Sequence, residues 1–243
     1  MRILILQQLA IEPPALIGEV IQEHGIHIDT IMTWRNTVPE TLEDYDGIVA
    51  MGGPMSARDA HLPAIAGQIA LLRRAIATRL PVLGICLGAQ LLARAADAQI
   101  MTATERELGW YRLTPTPDAQ CDPLFSQLPE EGLTVFQWHG ETFSLPKQAT
   151  LLATCPKVPH QAFRLARGQY GLQFHVEVDE STIGQWVDAG ESERHHLGPA
   201  GVAAMLDATP CYTSAMREFC RQICTSWIEV VHPRRSNQPP NGT

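Results

Sequence analysis

The sequence predicts an α/β fold in which an open, mixed and mostly parallel sheet is flanked by helices. Two observations carry that expectation. Over the first hundred residues, short β-rich apolar runs alternate with stretches whose apolar residues recur at helical spacing, the grammar of βαβ units. From about residue 105 to 173 the texture changes to shorter strand-like segments punctuated by Pro, Gly and Thr, so antiparallel pairings join the parallel ones.

Taken in order, "RILILQ" is the first strand, and "PPALIGEVIQEHG" places Leu16, Ile17, Val20 and Ile21 on one helical face before Gly25. "IHIDTIMTW" is a second strand. "YDGIVAMGG" reads as a strand ending in a double glycine, "LPAIAGQIALLRRAIATR" as a long helix and "LPVLGI" as a buried strand. Cys86 follows at once, and "AQLLARAADA" continues as a helix. "GWYRLTPTP", "LTVFQWHG", "ATLLATC" and "QAFRLARGQYGLQFHVE" supply the later strands. After Glu177 the chain turns helical through "STIGQWVDAGESE", "GPAGVAAMLDA" and "YTSAMREFCRQICTSWIEVV". One domain over 1–232 is expected, with 181–232 a helical extension packed on it and 233–243 a flexible tail. Trp186 and Trp227 in that extension read as core residues.

A net charge of −8 argues against a nucleic-acid grip, since such surfaces are built from clustered Lys and Arg, and "HPRR" near the C-terminus reads as a solvated tail. The first residues lack a signal-peptide core, and no run approaches the roughly 20 apolar residues of a membrane span. A cytoplasmic protein is expected. Six scattered cysteines form no C-x-x-C pair, so neither a disulfide framework nor a metal site is signalled; Cys220 and Cys224 share a helix face without convincing co-ligands.

The chemistry centres on "GICLGAQLLARA". Gly-x-Cys-x-Gly between a buried strand and a helix has the form of a nucleophile elbow, where glycines at 84 and 88 allow a turn too sharp for side chains. The helix start adds unpaired N–H groups and the positive end of the macrodipole, both suited to negative charge. Leu87 N–H is the natural first donor to an oxyanion. A buried structural thiol is the competing reading, so the partners decide.

A cysteine nucleophile needs a histidine to take and return its proton. His175 ends the run "YGLQFH", and Glu177 two residues on faces the same side if the chain stays extended. His139 in "FQWHGETF" is the second candidate and fits a substrate-pocket loop better. In "AMGGPMS" a strand ends in Gly52 and Gly53, offering backbone that approaches a ligand closely at the sheet rim where Cys86 also lies.

Together "GGPMS", "GICLGAQLLA", "WHGETF" and "GLQFHVE" resemble the class I (triad) glutamine amidotransferases, in the family's order, over residues 1 to about 180. The likeness is to stand-alone proteins similar to the glutaminase domain of GMP synthase, and it implies a flavodoxin-like fold. It also implies hydrolysis of the glutamine side-chain amide, with Cys86 as nucleophile, His175 as general base and acid, and Glu177 as orienting carboxylate. Gly53 and Leu87 N–H groups would form the oxyanion hole, with Gly52 in the same loop. Gln90 and the Trp138–His139 loop would hold the substrate's amino-acid end. No metal or organic cofactor is implied. The family commonly has Pro where this chain has Val176, which also favours an extended backbone. The chain has no phosphate-binding motif for an amide-transfer reaction, so a separate synthetase or acceptor protein is implied. Two other readings stand beside this one: a γ-glutamyl peptidase, and a regulatory or binding protein on the same fold.

Overall fold

The computed structural model describes residues 1–232; the expected tail at 233–243 lies outside them. Nine strands form one sheet in the order β2-β1-β3-β4-β9-β8-β7-β5-β6. β1 (Arg2–Gln7), β2 (His27–Met32), β3 (Gly47–Ala50), β4 (Val82–Ile85) and β9 (Gln169–Leu172) run parallel. From β9 onward, β8 (Ala162–Arg164), β7 (Thr150–Thr154), β5 (Ile100–Pro115) and β6 (Leu133–Phe143) pair antiparallel. The mixed sheet with flanking helices agrees with the expectation.

Alternation along the parallel strands divides the core in two. Ile3, Ile5, Val49, Leu83 and Ile85 point into one apolar layer, and Leu4, Leu6, Ile48, Ala50 and Val82 into the other. The first layer is closed by α1 (Ala15–Glu23) and by the second half of α5 (Glu191–Val231), with Trp227 fully buried and its indole N–H donated to Gly168 O at 3.0 Å. The second is closed by α2 (Pro63–Ala77) and α3 (Leu87–Ala95). Such strands, buried on both faces, read as continuous apolar runs, which is why "RILILQ" and "LPVLGI" were legible.

The segment after Glu177 departs from its expected elements. The helix through "STIGQWVDAGESE" stops at Ala189: α4 (Glu180–Ala189) is capped by Asp179, whose side chain accepts from Thr182 N, and a new helix starts beyond Gly190. Gly198, at φ 65° and ψ 167°, breaks α5 once more. The last two expected helices are instead continuous across Pro210. In that stretch Thr209 and Thr213 hydroxyls donate to Met205 O and Thr209 O, adding bonds near the gap left by the missing proline N–H.

Candidate active site

Cys86 stands between β4 and α3 at φ 49° and ψ −106°, a backbone conformation that costs a non-glycine residue strain and survives only where the surroundings enforce it. Those surroundings are tight. A Cβ on Gly88 would lie 1.9 Å from Ala50 O, and one on Gly84 would lie 2.7 Å from Gly88 backbone. Cys86 N donates to Leu172 O at 2.7 Å, fastening the turn to the end of β9. The elbow read from the glycine spacing is therefore present as geometry.

β9 ends at Leu172, three residues before His175, so the histidine does not sit at the strand end as the sequence suggests. It is placed by an isolated antiparallel bridge to β6, with His175 N donating to Phe136 O at 2.8 Å. Its Nδ1 lies 2.8 Å from Glu177 Oε1, and Val176 N donates to Glu177 Oε2 at 2.9 Å. Valine in place of the family's proline thus supplies a donor that proline lacks. His175 is also coupled electrostatically to the Cys86 side chain. Burial alone would push the imidazole down, but the Glu177 charge and the interactions with Cys86 and Glu177 hold it well above its ordinary value. Trp186 packs edge-on against the ring, centroids 4.6 Å apart, and donates its indole N–H to Ile11 O at 2.8 Å. It is buried as expected, but it buttresses the site as well as the core.

A cavity of about 550 Å³ opens above this group, and Gly53, Gln90, Trp138 and His139 line it beside Cys86 and His175. Gly52 and Leu87 stand behind that lining: a Cβ on Gly52 would lie 3.0 Å from His175 Cε1, and one on Gly53 would lie 3.1 Å from Leu87 Cδ2. "WHGETF", expected as a loop, is strand. β6 continues to Phe143, with His139 opposite Glu107 and Glu141 opposite Thr102 on β5, so cross-strand pairing overrides the turn-like Gly140. β5 itself starts at Ile100, earlier than its composition suggests, with a register shift between Thr102 and Glu107.

His139 is tied at both nitrogens. Nδ1 faces Glu141 O at 3.0 Å, while Nε2 faces Gln137 Oε1 at 3.0 Å and Glu107 Oε2 at 3.2 Å. Gln161 donates to the same Glu107 oxygen at 2.7 Å. From Glu141 O a chain of amides leads to the cysteine. Gln90 Nε2 donates to that carbonyl at 3.0 Å and to Gln173 Oε1 at 3.2 Å, and Gln173 Nε2 then points at Cys86 Sγ from 3.7 Å. Because a backbone carbonyl only accepts, it fixes the orientation of both amides.

Glu12, Glu107 and Gln173 are site residues that the sequence did not single out. Gln173 had a local signal, being inside "GLQFHVE"; the other two arrive from the β1–α1 loop and from β5 and had none. Glu141 is held by Ser56 and by an ion pair with Arg58. Among the described residues no cluster of His, Cys, Asp and Glu could hold a metal ion.

The family model of the class-I glutamine amidotransferases matches residues 17–187. The chain belongs to that family. A glutamine amidotransferase from Thermotoga maritima superposes with a TM-score of 0.83 at 28% identity, covering 96% of this chain and 98% of that one. A second such amidotransferase, from Methylobacillus flagellatus, gives 0.86 at 28% identity over 94% of each chain. Among curated relatives, the glutamine amidotransferase-like protein YfeJ of Salmonella typhimurium is 31% identical over 64% of this chain and 66% of its own length. GMP synthase of Porphyromonas gingivalis is 38% identical over 61% of this chain but only 28% of its own length. The chain therefore spans less than a third of the GMP synthase it matches. Among the described residues, no helix is long and apolar enough to cross a membrane.

Proposed function

We propose that the protein hydrolyses the side-chain amide of glutamine, with Cys86 as nucleophile, His175 as general base and acid, and Glu177 as the carboxylate that orients it. The observation that carries this reading is the His175–Glu177 hydrogen bond, with the imidazole electrostatically coupled to Cys86 at a strained elbow. With Nδ1 committed to Glu177, the other ring nitrogen takes the Cys86 proton. The thiolate attacks the amide carbon, and negative charge on its oxygen meets the N–H groups of Gly53 and Leu87. His175 passes the proton to the departing nitrogen, which leaves as ammonia, and a glutamyl thioester remains. Water, deprotonated by His175, attacks that carbonyl; the C–S bond breaks, glutamate leaves and the thiol is restored. Gln90, Trp138 and His139 hold the amino-acid end.

The ammonia acceptor belongs to a separate synthetase or acceptor protein, consistent with the match to one portion of GMP synthase. The deciding experiment measures ammonia and glutamate release from glutamine by the purified chain. Equal release of both is expected, and its loss in Cys86→Ala. Undiminished release by that variant overturns the assignment.

A further inference from the structure

The β1–α1 loop brings one more carboxyl group to the site than this mechanism employs. A Cβ on Gly52 would lie 3.1 Å from Glu12 Oε2, 3.0 Å from His175 Cε1 and 3.6 Å from Cys86 Cβ. Sharing that small space, the Glu12 carboxyl lies beside both the imidazole edge and the cysteine, where the proposed mechanism delivers a proton to the departing nitrogen. Burial pushes this carboxyl up to about 7; the His175 charge pulls it back and Glu177 pushes it further. Glu141, Glu191 and Glu193 share the cavity wall, which includes no Lys or Arg among its described lining residues. Two described guanidinium groups flank this wall, and both are engaged: Arg58 pairs with Glu141, and Arg106 donates to Ser192 at 2.9 Å.

We propose that Glu12 is a specificity-determining residue: it rejects γ-glutamyl amides whose departing amine carries a carboxylate, leaving glutamine and the γ-glutamyl amides of uncharged or cationic amines as the substrate class. This rests on the triad reading above. In a γ-glutamyl dipeptide the carboxylate carbon of the departing amino acid is two bonds from the scissile nitrogen, which brings that charge close to Glu12. Like charges that close in a partly desolvated wall cost about tenfold or more in rate. An ammonia or alkylamine leaving group meets no such repulsion.

The test compares wild type with Glu12→Gln, which keeps the shape and removes the charge, at a pH above 7.5. Two probes of similar size alkylate Cys86 by the same displacement: the thiolate attacks the CH2 carbon, an S–C bond forms, and iodide leaves with the C–I electron pair. Iodoacetamide is neutral and iodoacetate is an anion. The ratio of their rates at Cys86, followed by peptide mass, is expected to fall about tenfold in Glu12→Gln and equally in Glu12→Ala, with the fold checked by circular dichroism. An unchanged ratio in both variants overturns the proposal. Turnover is then compared for glutamine, γ-glutamylmethylamide and γ-glutamylglycine. Wild type is expected to favour the first two by at least about tenfold in kcat/KM, and Glu12→Gln to close the gap. Equal wild-type kcat/KM for γ-glutamylglycine also overturns it. Hydrolysis of none of the three, with the alkylation ratio still shifted, overturns the triad hydrolase and leaves the rejection of anions by Glu12 standing.

Discussion

Two histidines face one cavity, each backed by a buried glutamate, and they differ in what their ring nitrogens touch. His175 gives Nδ1 to Glu177 and keeps its other nitrogen for Cys86. His139 has Nδ1 on Glu141 O and Nε2 shared between Gln137 and Glu107. A buried imidazole–carboxylate pair is therefore not in itself a proton relay. What qualifies one is a nitrogen left over for the reaction, and that criterion is the ground for proposing His175 as the base and leaving His139 in the wall.

The largest test of this contrast removes each imidazole. His175→Ala is expected to lower kcat for glutamine by at least about 10³-fold, as Cys86→Ala does, because members of one catalytic unit fail together. His139→Ala is expected to raise KM about tenfold with kcat within about threefold. A collapse of kcat in His139→Ala, with His175→Ala still active, would reverse the assignment.

The same substitution at the two glutamates should give opposite results. Glu177→Gln is expected to cost about 10²-fold or more in kcat, through loss of imidazole orientation and of imidazolium stabilisation. Glu107→Gln is expected to leave kcat within about threefold but to cost about 1–3 kcal/mol in urea unfolding, the range for a disrupted buried hydrogen-bond network. The pH dependence sharpens this further. A histidine raised in the folded chain contributes stability that is complete below about pH 6.5 and is lost as pH rises through the raised value. The difference in Tm between wild type and Glu177→Gln should accordingly be widest near pH 6 and narrow as pH climbs. The smallest effect is expected from Val176→Pro, which restores the family's usual residue but deletes the N–H that Glu177 Oε2 accepts. About 1 kcal/mol of stability and less than about fivefold in kcat should go with it.

How far the sequence reached follows the same divide between local and tertiary causes. The elbow was legible because Gly84 and Gly88 are required within five residues of one another, and the His175–Glu177 pair because its members are two apart. Glu107 and Glu12 were not, because each becomes a site residue only when a distant strand or loop is folded onto the cavity. "WHGETF" misled for a related reason: Gly140 and Glu141 favour a turn on local grounds, and the ladder with β5 outweighs them. The β1, β3 and β4 strands were plain in the sequence since both their faces are apolar. The break at Gly190 has a local cause, a glycine at the C-cap of α4, whereas the continuity through Pro210 goes against propensity and accompanies packing of α5 on β5, β6 and α1, as when Trp110 of β5 donates its indole N–H to Thr209 Oγ1 at 3.2 Å.

Residues 189–193, at the junction of α4 and α5, form part of the cavity wall, and α5, after its break at Gly198, continues to Val231 and packs back against α1. The cavity wall is thus tied through α5 to α1, with Arg221 pinned to Glu23 some thirty residues past it. Loss of the last helical turns would take Trp227 with it and open the apolar layer above β1, β3 and β4, so the core would loosen together with the cavity wall. In this architecture one helix, kinked at Gly198, serves core and cavity wall together, so a truncation that reaches it alters both at once.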